Sequence, residues 1–207
     1  MAQAAERLAP PRGLLCLVGG VHPDEFAPFL GGGIRTYDAL VERNLRSTVV
    51  AHEIVGGLMV EAGGGSIVSI TAATAFASAP FHALYGAAKA AVVSLARTLA
   101  VEWGPLGIRV NTVAPGGVET FPPADRDAMA HVERAVIPLG RRVVPDEIAA
   151  TALFLLSDLS SAMTGQTLIL DGGALSKPSF IDADNVPVFI TDPSLREQIR
   201  GSATRAI

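Results

Sequence analysis

Tyr85 and Lys89 stand four residues apart in the run YGAAK. That spacing puts both side chains on one face of a helix. A phenol with an ordinary pKa near ~10 is a poor acid–base at neutral pH. A neighbouring ammonium favours the phenolate and lowers that pKa, and a tuned tyrosine can exchange a proton with a substrate oxygen. Taken alone the pattern is short, and a half-buried aromatic beside a solvated surface charge is the plainer reading. His22, His52, His82 and His131 are scattered, and no pair has metal-ligand spacing.

Composition bounds what such a pair can belong to. The 207 residues are enough for one α/β domain with a buried core, 49% of them hydrophobic and 17% charged. A net charge of -4 leaves no basic footprint, so nucleic acid is not an expected partner. The single cysteine, Cys16, excludes an intramolecular disulfide and suits a reducing cytoplasm. Met1 to Arg12 carry Glu6 and Arg7 and no secretory apolar core. Leu14 to Val18 is too short to cross a membrane, so no membrane partner is expected.

Strands alternate with helices around the pair. Leu14 to Val18, Ser66 to Thr71, Ile108 to Val113 and Leu168 to Leu170 read as buried strands. Apolar positions at helical spacing run from Thr36 to about Val60, from Tyr85 to Trp103 and from Pro145 to Leu156. Pro23 to Gly33 and Ala72 to Leu84 read as loops, and Pro122 to Arg142 as a polar, partly helical insertion. This alternation predicts a parallel sheet of βαβ units. Neither Gly31-Gly32-Gly33 nor Gly63-Gly64-Gly65 leads from a strand into a helix, so both read as turns rather than phosphate loops.

The ordered blocks GGGSIVSI, YGAAKAAV, LAVEWGPLGIRVNTVAPGGVET, PLGRRVVPDEIA and TGQTLILDGG, together with LVGG (Leu17 to Gly20) and Asn44-Leu45, resemble the short-chain dehydrogenase/reductase family. The resemblance runs from about Leu14 to Gly173. It implies a Rossmann-type α/β fold, a parallel sheet with helices on both faces. The fold would be N-terminally truncated, with about four strands of the usual seven. It implies NAD or NADP as cofactor and a small-molecule alcohol or carbonyl as substrate. Tyr85 would be the general acid–base. Lys89 would lower its pKa and hold the nicotinamide ribose. Asn44 would support a proton-relaying water, against the alternative of a side chain bonding backbone. Pro115, Gly116, Val118 and Thr120 would line the nicotinamide and nearby diphosphate, and Gly19 and Gly20 would lie in the turn that meets the cofactor. Asn111 reads as structural.

Three departures qualify that picture. The position of the family's serine, thirteen residues before the tyrosine, holds Ala72, with Thr71 and Thr74 nearby but out of register. The Asn-Asn-Ala-Gly turn departs through Gly19-Gly20-Val21-His22, losing side-chain hydrogen bonds. The glycine-rich phosphate loop and its helix N-terminus are not encoded. Two readings stay open: an NAD(P)-dependent oxidoreductase, impaired or inactive as the isolated chain, and a non-catalytic relative or a fragment of a longer enzyme, with Met1 internal to it. Residues 1–173 are expected to form the partial domain and 174–207 an extension. Within that extension, Val186 to Ile190 is strand-like and Ser194 to Arg200 helical behind Asp192. Leu14 to Val18, lacking its neighbour, should be a sticky edge, and a homo-oligomer is expected. Phe76, Phe81 and Phe121 suggest an apolar substrate.

Overall fold

A computed structural model describes residues 9–120, 126–179, 181–184 and 186–205. Four parallel strands form one sheet in the order β1 (Gly13–Cys16), β2 (Gly65–Ile70), β3 (Ile108–Pro115), β4 (Thr167–Leu170). Between and after them run α1 (Phe29–Val41), α2 (Ser47–Glu61), α3 (Ala83–Trp103), α4 (Arg126–Val136), α5 (Pro145–Leu156) and α6 (Pro193–Arg205). Successive side chains of a strand point to opposite faces. Ile67 and Val110 accordingly pack with Val55, Met59, Ala96 and Ala100 on the α2–α3 side. Val68 and Val113 pack with Ala152 and Leu155 on the α5 side. Burial on both faces is why the strands read as unbroken apolar runs.

Local chemistry sets the element ends. Pro145 opens α5 where its missing N–H costs nothing. The carboxylate of Glu147 accepts from the Val144 N–H at 2.9 Å, satisfying a donor that the helix leaves unpaired. Asn111 ties β3 to the approach of β4, donating to the Met163 carbonyl at 2.8 Å and accepting from the Gln166 N–H at 3.0 Å. The segment Ala83–Leu106 is long and apolar enough to cross a bilayer, with a mean hydropathy of 1.3. Its Val92, Val93, Ala96 and Ala100 are nevertheless buried in the core, as in an interior helix.

The structure corrects several expected boundaries. β1 stops at Cys16, opposite Ser69, and Leu17 and Val18 leave the sheet, 64% and 62% exposed. The cause is Asn44, which draws the following turn toward α2. Its Oδ1 accepts from the Gly20 N–H at 2.7 Å and its Nδ2 donates to the Gly20 carbonyl at 2.8 Å. The helix expected from Thr36 begins at Phe29, across a kink at Leu30 and Gly31. It passes through one π turn, Glu42–Arg46, before α2. No strand forms over Val186 to Ile190. Pro187 lacks a donor, and the Val186 N–H is taken by the Asp182 carboxylate at 2.9 Å. The tail therefore does not pair with β1, which is an edge strand among the described residues. α6 starts one residue before the expected Ser194, with Asp192 accepting from the Ser194 N–H at 2.8 Å.

A polar knot lies beneath the ends of β1 and β2. His52 on α2 donates from Nδ1 to the Thr48 carbonyl at 2.7 Å, so Nε2 accepts from the Ser69 hydroxyl at 3.2 Å. The Cys16 thiol lies 3.9 Å from the same ring. Burial pushes the His52 imidazole below its ordinary 6.5. The folded chain then takes up this proton at lower pH than the unfolded chain does. The stabilisation is intact above pH 6.5 and is lost as pH falls through the folded value. Thermal melts should therefore show Tm falling on acidification below that point, and His52→Gln should flatten the dependence while lowering Tm at about pH 8. For the exposed apolar pair Leu17 and Val18, just past the edge strand, Val18→Lys should raise the onset temperature of aggregation in light scattering, because a charge interrupts an exposed apolar patch.

Candidate active site

Asn44, Thr48 and His52 recur every four residues and are all buried, giving one face of the π turn and α2 a polar stripe. Asn44 is the member nearest the sheet's C-terminal end, and its amide also donates to the Leu40 carbonyl at 3.0 Å. The widened turn around it is a form common at functional sites. Lys89 reaches the same place from α3. It is 4% exposed, and its Nζ donates to the Ile70 carbonyl, at the end of β2, at 3.1 Å. Gly19 lies between them. A Cβ there would stand 2.6 Å from Lys89 Nζ and 2.8 Å from Asn44 Oδ1.

Tyr85 lies one turn before Lys89, whose Nζ stands over its ring, 5.8 Å from the centroid. The expected lowering of the phenol pKa is absent in the free protein. Burial pushes Tyr85 up, and burial brings Lys89 down to about 8. Both neutral forms are favoured because both groups are withdrawn from water and neither gains an opposite charge. Tyr85 is thus a protonated donor at neutral pH.

The structure brings together Tyr85, Lys89, Asn44, Gly19 and Gly20. Pro115, Gly116, Val118 and Thr120 lie in and after the end of β3, the strand beside β2. Gly116 donates to the Leu170 carbonyl at 2.8 Å, and Val118 bridges Val143. No hydrogen bond joins these four to Tyr85 or Lys89 among the described residues. Ala72 is buried at the start of a short 3-10 turn and offers no hydroxyl. Thr71 does not replace it, because its hydroxyl donates to the Lys89 carbonyl at 2.8 Å and so anchors α3 to β2. The Thr74 hydroxyl is buried without a partner among the described residues. Phe121 lies outside the described residues.

Two contributors were not singled out in the sequence. His82 immediately precedes α3, and its ring lies 6.3 Å from that of Tyr85. Arg43, next to Asn44, grips Glu25 through two bonds of 2.7 and 2.9 Å, and this contact holds the Glu25 carboxyl below its usual range. No set of three metal-ligating side chains occurs among the described residues.

The polar groups fit the ribose end of a nicotinamide coenzyme. Lys89 has three N–H donors and gives one to Ile70, and the bare Gly19 leaves space beside it. Among the described residues, neither glycine triplet forms a cradle for the phosphate end. Gly31–Gly33 fall inside α1, and Gly63–Gly65 lead into β2, so neither triplet presents a helix N-terminus after a strand.

A parallel sheet covered by helices, with a tyrosine and a buried lysine at the strands' C-terminal ends, defines an α/β protein of the doubly wound class. Residues 1–174 match the family model described as enoyl-(acyl carrier protein) reductase. The chain belongs to the short-chain dehydrogenase/reductase family. It is 38% identical over 139 residues to the NAD-dependent glycerol dehydrogenase of Listeria innocua, covering 66% of this chain and 55% of that one. Among solved structures, it is similar to a short-chain dehydrogenase/reductase family oxidoreductase of Burkholderia thailandensis. That likeness has a TM-score of 0.75 and 32% identity, covering 85% of this chain and 68% of the other. A gluconate 5-dehydrogenase of Burkholderia cenocepacia, in complex with NADP and tartrate, matches with a TM-score of 0.78 at 28% identity. The match covers 86% of this chain and 69% of that one. The chain thus spans little more than half the length of the curated relative.

Gly19→Ala tests the close approach. Gly19 has φ +151, and its added methyl would meet both Lys89 and Asn44. The variant should lose about 1–3 kcal/mol in urea unfolding, whereas Gly57→Ala, where a Cβ meets nothing within 4 Å, should be neutral or better.

Proposed function

We propose that this chain carries the proton-transfer half of an NAD(P)-dependent oxidoreductase acting on a secondary alcohol or carbonyl of a small molecule, and that it is impaired as the isolated chain. The observation that supports this best is the meeting of Tyr85, Lys89 and Asn44 around the bare Gly19. In carbonyl reduction Tyr85, protonated and half-buried, donates its hydroxyl proton to the substrate oxygen; in alcohol oxidation it takes that proton back. Lys89 holds the ribose hydroxyls and carries positive charge below about pH 8. Asn44 holds Gly20 in place beside it and supports the relay water. Pro115, Gly116, Val118 and Thr120 line the nicotinamide side. The coenzyme, when bound, supplies or accepts the hydride.

The second reading is a non-catalytic relative, or a fragment of a longer enzyme. Ala72 favours it, since no hydroxyl in that register steadies a developing oxyanion. A homo-oligomer fits both readings, because β1 is an edge strand among the described residues and an edge invites pairing.

Calorimetric titration with NADH and NADPH separates these cases from a complete enzyme. The isolated chain is expected to show no saturation in the micromolar range; a one-site isotherm would mean that another segment replaces the phosphate loop. In an active assembly Tyr85→Phe should abolish turnover. Ala72→Ser should raise it by roughly 10²–10³, the usual worth of one oxyanion donor.

A further inference from the structure

The sheet has a second cavity, at the N-terminal ends of its strands and so at the opposite end from Tyr85 and Lys89. Its volume is about 700 Å³, within the range of small-molecule sites. Arg12, just before β1, and Arg109, the second residue of β3, both line it. They flank the same residue of β2. The Arg12 carbonyl accepts from the Ser66 N–H at 2.9 Å, and Ser66 stands opposite Arg109 in the β2–β3 register. Two strand spacings therefore separate their backbones, roughly 10 Å, and two guanidinium side chains span that gap.

The charges of these two arginines are unanswered. Arg43, Arg142 and Arg196 each grip a carboxylate. Arg12 and Arg109 bond only neutral oxygens among the described residues. Arg12 donates once, to the Gly64 carbonyl at 3.3 Å. Arg109 donates to the Ser160 hydroxyl and to the Ser157 and Met163 carbonyls, at 3.0 to 3.2 Å. A guanidinium has five N–H groups, so four remain on Arg12 and two on Arg109. Burial pushes the Arg109 guanidinium below its ordinary value, and only the charge of Asp158, beyond bonding distance, opposes this. Asp158 lines the same cavity with an exposed carboxylate. The walls at Gly63 and Gly104 leave space, because a Cβ at either would meet nothing within 4 Å.

We propose that this cavity binds a phosphorylated sugar or polyol, with its phosphate held between Arg12 and Arg109 and a hydroxyl donated to Asp158. A phosphate monoester carries nearly two negative charges and accepts forked guanidinium bonds, which matches the two open arginines. The lone carboxylate repels a second anionic group and accepts from a hydroxyl, so it selects the body of the ligand. A ligand bridging Arg12 and Arg109 ties the edge strand β1 to β3, and should raise the melting temperature. The site is independent of the proton transfer at Tyr85, so either reading can fail alone.

The test uses the full chain without coenzyme. Calorimetric titrations and thermal melts are run with glucose 6-phosphate, inorganic phosphate and glucose. Glucose 6-phosphate should bind saturably and raise Tm, inorganic phosphate should bind more weakly, and glucose should do neither. Arg12→Gln should weaken glucose 6-phosphate at least about tenfold, the worth of a charged hydrogen bond, and Arg12→Lys should restore part of that loss. Asp158→Asn should weaken the sugar phosphate while leaving inorganic phosphate unchanged or tighter. Absent saturation by glucose 6-phosphate, equal binding of glucose, or undiminished affinity in Arg12→Gln would overturn the site. Inorganic phosphate binding as tightly as the sugar phosphate would overturn the role of Asp158. If Arg12→Gln fails to fold, the three ligands on the unaltered chain and on Arg12→Lys still decide.

Discussion

The exchange of two hydrogen bonds between the Asn44 amide and the backbone of Gly20 is the contact on which the site depends. A carboxamide facing the N–H and C=O of one residue uses both a donor and an acceptor, and does so without charge. Because Asn44 is fully buried, breaking this pair would strand polar groups on both partners, so the turn after β1 has little freedom. The π turn places the amide at the right depth. Lys89 then enters from the opposite helix, and only a glycine at position 19 leaves room for both. Geometry here is fixed by local backbone demands more than by charge.

Burial sets the chemical character of the pair. Tyr85 and Lys89 are tuned in opposite directions from those in which an exposed ion pair would move, because each loses water and neither gains an opposite charge. A bound ligand whose hydroxyls meet Lys89 would restore the ammonium's solvation and bring it nearer its ordinary value. The site is thus electrostatically incomplete in the free chain. Thr71 contributes quietly by fastening α3 to the end of β2, a use that removes it as a stand-in for the missing serine.

Much of this was legible in the residues. The four strands follow from continuous apolar runs such as Ile67-Val68, and the Tyr85–Lys89 face follows from helical spacing. The end of β1 was not legible, because Leu17 and Val18 look like strand and are drawn out by a bond from a residue far along the chain. The start of α1 was hidden by Gly31–Gly33, which read as loop but absorb a kink. His82 was overlooked because a single histidine matters only through what surrounds it, and its ring partner Phe26 comes from a loop with no periodicity. The direction of the Tyr85 shift likewise depends on where Nζ points, which spacing alone leaves open.

β3 is the longest strand and is paired on both sides, while β1 has four residues and a neighbour on one side only. Arg109 adds to this imbalance by binding the Ser160 hydroxyl and the Ser157 and Met163 carbonyls, so the β3–α5–β4 half is firmly stitched. Local opening is drawn from the least supported elements. Fraying of β1 would release Gly19 and Gly20, and with them the seat of Lys89, while the helices and the other three strands persist. In such a molecule the folded fraction and the competent fraction are separate populations. A circular dichroism spectrum would count both alike, and the shelf life of the site would be set by its least supported strand rather than by its core.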